Sequence, residues 1–162
     1  KNKKMTGLTE LFGFCTDRSQ HVSEIIIPAL KSGKNVISDR FDISTIAYQI
    51  YGRGIENVEL FEQINTPAKR GIEPDLVIFL DVKAEVGLER RNKSPEGKTT
   101  RFDHEAIEFH ERVREGYLKC RDSCNVDSPL APVWYTVDTN IMTEIEVQRD
   151  VLCRIRKELS LN

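Results

Sequence analysis

The sequence predicts an α/β fold in which a parallel sheet is flanked by helices, and three observations favour it. Short apolar runs at residues 35–38, 75–82 and 133–137 are separated by longer segments with helical periodicity. The middle of the run at 75–82 is continuously apolar, as in strands that are covered on both faces. A chain of 162 residues suits one domain with a sizeable core. Ligands of such a sheet bind outside the carboxyl ends of its strands, so the residues that follow each strand form the candidate site.

Helical periodicity predicts six helices, of which the first is the longest. It covers residues 8–30, with Thr6 as its N-cap and Ser32 and Gly33 at its end. The other helices are expected at residues 43–51, 58–69, 84–91, 104–124 and 143–159. Residues 92–100 are polar, contain a proline and a glycine, and lack periodicity, which predicts a loop.

Composition narrows the class of protein. The formal net charge of −2 is unlike that of dedicated nucleic-acid binders, so an anion site must be a local cluster of arginines. No apolar run is as long as a membrane span and no signal-peptide pattern opens the sequence, which predicts a cytoplasmic protein. No Cys-x-x-Cys pair occurs, so reduced thiols and no metal site are expected at Cys15, Cys120, Cys124 and Cys153.

Arg40 is the first candidate for anion binding, because it follows the first predicted strand. A guanidinium can donate two parallel hydrogen bonds to one phosphate. The neighbouring Asp39 would hold the guanidinium in place or contact a metal-bound water. The alternative is an Asp–Arg pair that only satisfies the end of a strand.

Phe14 and Arg18 lie four residues apart and therefore share one face of the first predicted helix. An aromatic ring with a cation one turn away can stack on a base and bind its edge. An i, i+4 Phe–Arg pair that only packs on the helix is the alternative.

A second polar and aromatic group lies in the helix predicted at 43–51. Thr45 can share a helix face with Tyr48 or Gln49, and Ser44 precedes them. Packing of Tyr48 in the core and exposure of Gln49 to solvent is the alternative interpretation.

The segment 90–101 is strongly basic, with Glu96 as its single acidic residue. Its basic residues are Arg90, Arg91, Lys93, Lys98 and Arg101. A basic loop that closes over phosphates would neutralise charge and exclude water. A solvated charged loop is the alternative.

Taken in order, these segments resemble the thymidylate kinase family of bacterial type. The matching segments are residues 14–18 (its base-binding helix), 39–41 (its Asp-Arg-Tyr motif), 44–54, 70–82 (its fourth strand) and 101–117 (its lid exit and next helix). The resemblance covers residues 6–159, and the order and spacing of the motifs make it specific. Phe41 stands where the family usually has tyrosine, which leaves the role of that hydroxyl unassigned.

The resemblance implies a dTMP site. Phe14 would stack on thymine and Arg18 would contact the base edge. Arg40 would bind the phosphate with support from Asp39, both as catalytic residues. The remaining substrate contacts would come from Ser44, Thr45, Tyr48 against the sugar, and Gln49.

The resemblance also implies a binding site for ATP. Arg91 and Arg101 would be catalytic lid arginines that reach the phosphates of ATP. Adenine would lie against Asp138, Thr139 and Asn140, mainly on their backbone. Mg²⁺ would bridge the phosphates, and no protein metal ligand is predicted.

For the whole molecule, the resemblance implies one nucleoside-monophosphate-kinase domain over residues 1–162, with a lid at about 90–103 and the three-layer P-loop kinase fold. The activity would be phosphorylation of dTMP to dTDP with ATP and Mg²⁺, for dTTP synthesis. A homodimer through the first long helix is expected, with no nucleic-acid or membrane partner. Two alternatives stay open: a relative that acts on another nucleoside monophosphate, and a non-catalytic fragment that binds dTMP or a partner chain.

The chain departs from the family at its start. No segment matches the complete P-loop motif G-x-x-x-x-G-K-[ST] that cradles ATP, and the strand that precedes it is also absent. We therefore expect the complete protein to carry about 40–60 further N-terminal residues, since a strand–helix–strand unit needs roughly 30. The 162-residue chain alone is expected to be inactive.

Overall fold

The computed structural model describes residues 5–93, 100, 102–124 and 131–158. Helix α1 (Gly7–His21) continues through a π-helical turn (Val22–Ile26) into α2 (Ile27–Lys31). Helix α3 (Asp42–Thr45) continues into a second π-helical turn (Ile46–Gly52). The remaining elements are α4 (Val58–Lys69), β1 (Leu76–Asp81), α5 (Ala84–Lys93), a 3₁₀ turn (Phe102–His104), α6 (Ile107–Asp122), β2 (Val133–Asp138) and α7 (Glu144–Glu158).

Strands β1 and β2 pair in parallel, in a register that runs from Leu76 opposite Val133 to Asp81 opposite Asp138. The connection between them contains α5 and α6, as a parallel crossover requires. Both strands were predicted from their apolar runs, and both are confirmed. Their carboxyl ends lie at the same edge of the sheet, which is the edge where ligands are expected.

The strand predicted at residues 35–38 is wrong. The segment adopts no regular structure, all of residues 31–40 are exposed, and the side chain of Ile37 is 84% exposed. A strand is stable only when a neighbouring strand satisfies its N–H and C=O groups. Within the described ranges the sheet consists of β1 and β2, and neither pairs with this segment.

The first long helix was predicted closely, except for its π-helical turn. The Thr6 Oγ1 atom caps it by accepting from the Thr9 amide at 3.2 Å. Lys31 is its last residue, and Gly33 follows with a φ of +73°, which glycine adopts without strain. Pro28 is the second residue after the π-helical turn, and it has no N–H to donate to the preceding turn of the helix.

Two apolar clusters position the site. One joins α1 to α4 and contains Leu11, Cys15, Phe61 and Ala68. The other joins the turn Ile46–Gly52 to α6, with Ala47, Phe109 and Val113 at its centre and the rings of Tyr48, Phe102 and Tyr117 around it. The second cluster holds α6 close to the residues that the sequence singled out at 44–49.

Gly116 allows this close approach. A Cβ atom at Gly116 would lie 2.9 Å from the Ala47 Cα, which is backbone that cannot swing aside. We expect Gly116→Ala to lower the free energy of unfolding by roughly 1–3 kcal/mol, as overpacking does. Gly13→Ala is the control, because a Cβ at Gly13 in α1 meets nothing within 4 Å and should stabilise the helix by about 0.5–1 kcal/mol. Urea unfolding measures both, and equal stability of the two variants would contradict the packing described.

The first helices also carry an exposed apolar surface. Leu8, Phe12 and Ile25 are 41%, 45% and 56% exposed. Among the helices in the described part of the chain, none combines the length and apolarity needed to cross a bilayer.

Candidate functional site

A cavity of about 820 Å³ opens at the carboxyl end of β1, between α1, the turn Ile46–Gly52 and α6. Nine of the residues predicted from the sequence line it together: Phe14, Arg18, Asp39, Arg40, Ser44, Thr45, Tyr48, Gln49 and Arg91. Asp138, Thr139 and Asn140 do not line it, and Arg101 lies outside the described residues. The structure thus brings together residues from four separate segments at the expected edge of the sheet.

Arg40 is held by hydroxyl groups. Its Nη1 donates to the Tyr117 hydroxyl at 3.0 Å and its Nη2 donates to the Tyr48 hydroxyl at 3.3 Å, with the guanidinium 4.9 Å from the centroid of the Tyr48 ring. The Ser44 hydroxyl lies 2.7 Å from that of Tyr117. Burial raises the pKa of Tyr117, against the opposing charge of Arg40, so the Tyr117 hydroxyl stays protonated. The hydroxyl partners orient the guanidinium and leave its positive charge available to an anion, and Asp39 lines the same cavity.

Arg18 is 7% exposed and its terminal nitrogens are surrounded by acceptors. Nη1 donates to Asn65 Oδ1 at 2.8 Å, while Nη2 donates to Thr45 Oγ1 at 2.5 Å and to the Phe41 carbonyl at 3.3 Å. Phe14, one turn earlier on α1, is 38% exposed. The pair therefore presents a free aromatic face beside a cation of fixed position, which is the arrangement needed to stack on a planar ring and bind its edge.

Gln49 is completely buried, and its amide is oriented by Glu10. Gln49 Nε2 donates to Glu10 Oε2 at 3.1 Å, and because a carboxylate only accepts, the amide oxygen faces away from it. Among the described residues that oxygen, Oε1, has no hydrogen-bond partner although it is buried. An unsatisfied buried acceptor beside a cavity is suited to an N–H donor of a ligand.

Arg91 stands at the start of the predicted lid and contacts its exit. Its Nε donates to Asp103 Oδ2 at 3.3 Å, and the same oxygen accepts from the Thr100 amide at 2.6 Å. Burial acts to raise the pKa of Asp103 and is the largest single effect, but the hydrogen bonds from the Thr100 amide and hydroxyl and from Arg91 together outweigh it and hold this pKa below its usual range. Helix α5 extends to Lys93, two residues beyond the predicted end, while residues 94–99 and 101 of the predicted lid are outside the described part of the chain.

Residues 138–140 form a separate group on the same edge of the sheet. The Thr139 Oγ1 and amide both donate to the Asp81 carbonyl at 2.9 Å. Asn140 Oδ1 accepts from the Lys83 amide at 2.9 Å, and the Asn140 carbonyl accepts from Arg90 Nη2 at 3.0 Å. Hydrogen bonds to the backbone of Asp81 and Lys83 hold this group, which lies beside the cavity residue Asp81 across the paired strands and not within the cavity itself.

Three residues that the sequence did not single out are central to the geometry. Tyr117 holds Arg40, Asn65 holds Arg18, and Arg114 pairs with both carboxylate oxygens of Asp81 at 2.6 and 2.8 Å. Tyr117 and Arg114 are three residues apart on α6, so a shared face was visible in the sequence. The sequence did not show which distant segment that face contacts.

Cys15 touches the site through Arg18, whose Nη1 donates to its Sγ at 3.7 Å. All four cysteines are free thiols. Burial raises the pKa of Cys120 to about 11, and burial likewise raises that of Cys15 against the lowering effect of Arg18. Groups of three or more His, Cys, Asp or Glu side chains able to hold a metal ion are not found within the described ranges.

Comparison with known proteins identifies the family. Residues 1–127 match the Thymidylate kinase family model. The thymidylate kinase of Desulfovibrio desulfuricans is 52% identical over 116 residues, which are 67% of this chain and 52% of that relative. The thymidylate kinase of Clostridium novyi is 47% identical over 118 residues, which are 73% of this chain and 57% of that relative. The chain thus spans about half the length of the curated relatives that it matches.

A solved structure shows the same fold. The crystal structure of thymidylate kinase from Ehrlichia chaffeensis is 27% identical, with a TM-score of 0.67, over 96% of this chain and 68% of that chain. The predicted α/β fold of the P-loop kinase type is thereby confirmed. The family match, the sequence identity and the shared fold agree, and the chain belongs to the thymidylate kinase family.

Proposed function

We propose that the protein phosphorylates dTMP to dTDP with ATP, and that the 820 Å³ cavity binds dTMP. The observation that carries the proposal is the cavity itself, which joins Arg40 to the Phe14–Arg18 pair. The side-chain hydrogen-bond partners of Arg40 among the described residues are two tyrosine hydroxyls and include no carboxylate. A planar base and a phosphate on one small molecule match this pairing. The names of the relatives that the chain resembles point to the same substrate.

Each cavity residue then has a role set by its chemistry. Arg40 clamps the dTMP phosphate through its fork, with Asp39 beside it, and Ser44 and Tyr117 keep that fork in place. Phe14 stacks on thymine, and Tyr48 lies against the sugar. The unsatisfied Gln49 Oε1 accepts from the base N–H, while Thr45 and Arg18 face the base carbonyls.

The ATP side is proposed on fewer residues, since the chain covers about half of its relatives. ATP supplies the phosphoryl group and Mg²⁺ neutralises charge on its phosphates. Arg91 and Arg101 would contact those phosphates, and Asp138, Thr139 and Asn140 would face adenine through a backbone that Asp81 already fixes. The Asp81 carboxylate is paired with Arg114. Mg²⁺ usually keeps several waters and binds through substrate phosphates, and we propose the same here. Synthesis of dTTP in the cytoplasm is the proposed context.

A binding panel tests this function. Isothermal titration should show dTMP and dUMP binding more tightly than dCMP, dAMP or dGMP, and labelled phosphate should pass from ATP to dTMP in the complete protein. Preference for another nucleotide would support a different nucleoside monophosphate kinase. Binding of dTMP by the complete protein without transfer would support the non-catalytic alternative, and no binding at all would contradict the proposal.

The lid arginine should act on the rate rather than on dTMP binding. We expect Arg91→Ala to lower kcat by more than about tenfold and to change the Kd for dTMP by less than about twofold, because its charge is needed mainly in the transition state. Lys93→Ala is the control, since Lys93 is exposed on the same helix and pairs only with Glu89 among the described residues. Equal kcat values for the two variants would indicate that the segment 90–101 is a solvated charged segment without a role in catalysis.

The exposed apolar face of the first helices supports a homodimer. Leu8, Phe12 and Ile25 are each more than 40% exposed on elements that follow one another without a break. Phe12→Glu should convert the dimer to monomers in sedimentation velocity, because it places a charge in an apolar interface. Gln63→Glu on the exposed face of α4 is the matched control, and a dimer that survives Phe12→Glu would place the interface elsewhere.

A further inference from the structure

We infer that Asn65 is the positioning residue for Arg18, and that it sets base selectivity without touching the base. The inference rests on the proposed role of Arg18 as the reader of the base edge. Asn65 lies on α4, is 4% exposed, and is not among the residues that line the cavity. Any effect of Asn65 on the ligand must therefore pass through a neighbouring side chain.

The orientation of the Asn65 amide is determined by the groups behind it. Its Nδ2 donates to Asp42 Oδ2 at 3.3 Å, and the same oxygen receives Lys69 Nζ at 2.9 Å. The other Asp42 oxygen accepts from the Ile43 amide at 2.9 Å. Because a carboxylate only accepts, the nitrogen of the amide must face Asp42, and the oxygen must face Arg18.

Reversal of this amide is strongly disfavoured. A flipped amide would place its oxygen against the Asp42 carboxylate and its nitrogen against Arg18 Nη1. Two acceptors would then face each other at Asp42 and two donors at Arg18, both in a buried environment. Asn65 Oδ1 therefore stays aimed at Nη1, with the observed separation of 2.8 Å. Thr45 and the Phe41 carbonyl hold Nη2 on the other side, which fixes the plane of the guanidinium.

A fixed guanidinium plane is what base selectivity needs. Arg18 can only donate, so it favours a carbonyl on the base edge over an amino group, but only where its N–H bonds point at that edge. The longest of its present contacts to an oxygen atom, to the Phe41 carbonyl at 3.3 Å, is the one that a base carbonyl would share most easily, and a further contact joins Nη1 to Cys15 Sγ at 3.7 Å. Without Asn65 the buried guanidinium loses one support and can rotate, and the energetic preference for a carbonyl falls.

A double-mutant cycle tests the inference on the whole protein, with dTMP and dCMP as probes in isothermal titration. We expect Asn65→Ala to weaken dTMP binding roughly tenfold and to narrow the ratio of dTMP to dCMP affinity. In an Arg18→Ala background the same substitution should change dTMP affinity by less than about twofold, since Asn65 acts only through Arg18. Gln63→Ala, on the exposed face of the same helix, should leave both affinities unchanged.

The outcomes separate this inference from the proposed function. Unchanged dTMP affinity and base preference in Arg18→Ala alone would contradict the proposed base contact, and this inference with it. A second result would contradict the positioning role alone. In it, Arg18→Ala lowers dTMP affinity, and Asn65→Ala lowers dTMP affinity by the same factor whether residue 18 is arginine or alanine. Asn65 would then be a structural residue. If Asn65→Ala fails to fold by circular dichroism, Asn65→Leu keeps the side-chain volume and takes its place in the cycle.

Discussion

Replacing Arg40 with lysine should weaken dTMP binding by roughly 10–100-fold, although the positive charge is retained. The guanidinium donates to Tyr117 and Tyr48 with its two terminal nitrogens, and these contacts orient its fork toward the cavity. An ammonium group is a single donor centre that cannot hold both hydroxyls and also bind two phosphate oxygens in parallel. Isothermal titration with dTMP measures the loss.

The control for this substitution is Arg121→Lys, on the same helix as Tyr117. Arg121 pairs only with its neighbour Asp122 among the described residues and does not line the cavity. Arg121→Lys should leave dTMP affinity unchanged. A lowered melting temperature in Arg40→Lys, with normal dTMP affinity in the folded protein, would show that Arg40 is structural.

Removing Arg18 should abolish most of the preference for thymine over cytosine. Thymine offers a carbonyl where cytosine has an amino group, and an arginine donates only to the carbonyl. We therefore expect Arg18→Ala to narrow the ratio of dTMP to dCMP affinity by roughly tenfold or more. The substitution also leaves Asn65 Oδ1 without its charged partner, so stability should be measured alongside and titrations made well below the melting temperature.

Phe14→Ala is the informative comparison for Arg18→Ala. Stacking on an aromatic ring contributes about 1–3 kcal/mol to any base and does not distinguish among bases. Phe14→Ala should therefore weaken dTMP and dUMP together and leave their ratio little changed. Retention of the dTMP preference in Arg18→Ala would mean that another residue reads the base.

Local patterns predicted most of the fold because each of these elements carries its own signal. The run at 76–81 is apolar enough to be a buried strand wherever it lies, and Thr6 and Gly33 mark the ends of the first helix by their own chemistry. The segment 35–38 has only Val36 and Ile37 as apolar residues, and it forms no strand in the described part of the chain. A strand also depends on a neighbour, and the sequence of one segment contains no information on whether its neighbour is present.

The candidate site was predicted as a set of side chains but not as a network. Nine of the side chains that the sequence singled out line one cavity, whereas residues 138–140, which follow β2, do not line it. Tyr117 and Asn65 were missed because their partners, Arg40 and Arg18, lie 77 and 47 residues away in the sequence. Such contacts depend on how α6 and α4 pack against the rest, which helical periodicity alone does not determine.

A structure of the protein with dTMP bound tests the central claim most directly. The account predicts the phosphate within hydrogen-bond distance of the Arg40 guanidinium, the thymine ring against Phe14, and a base carbonyl facing Arg18. The Gln49 Oε1 atom, unpartnered among the described residues, should gain the base N–H as its donor. Binding of dTMP at residues 138–140, or in the cavity with its phosphate away from Arg40, would contradict the account.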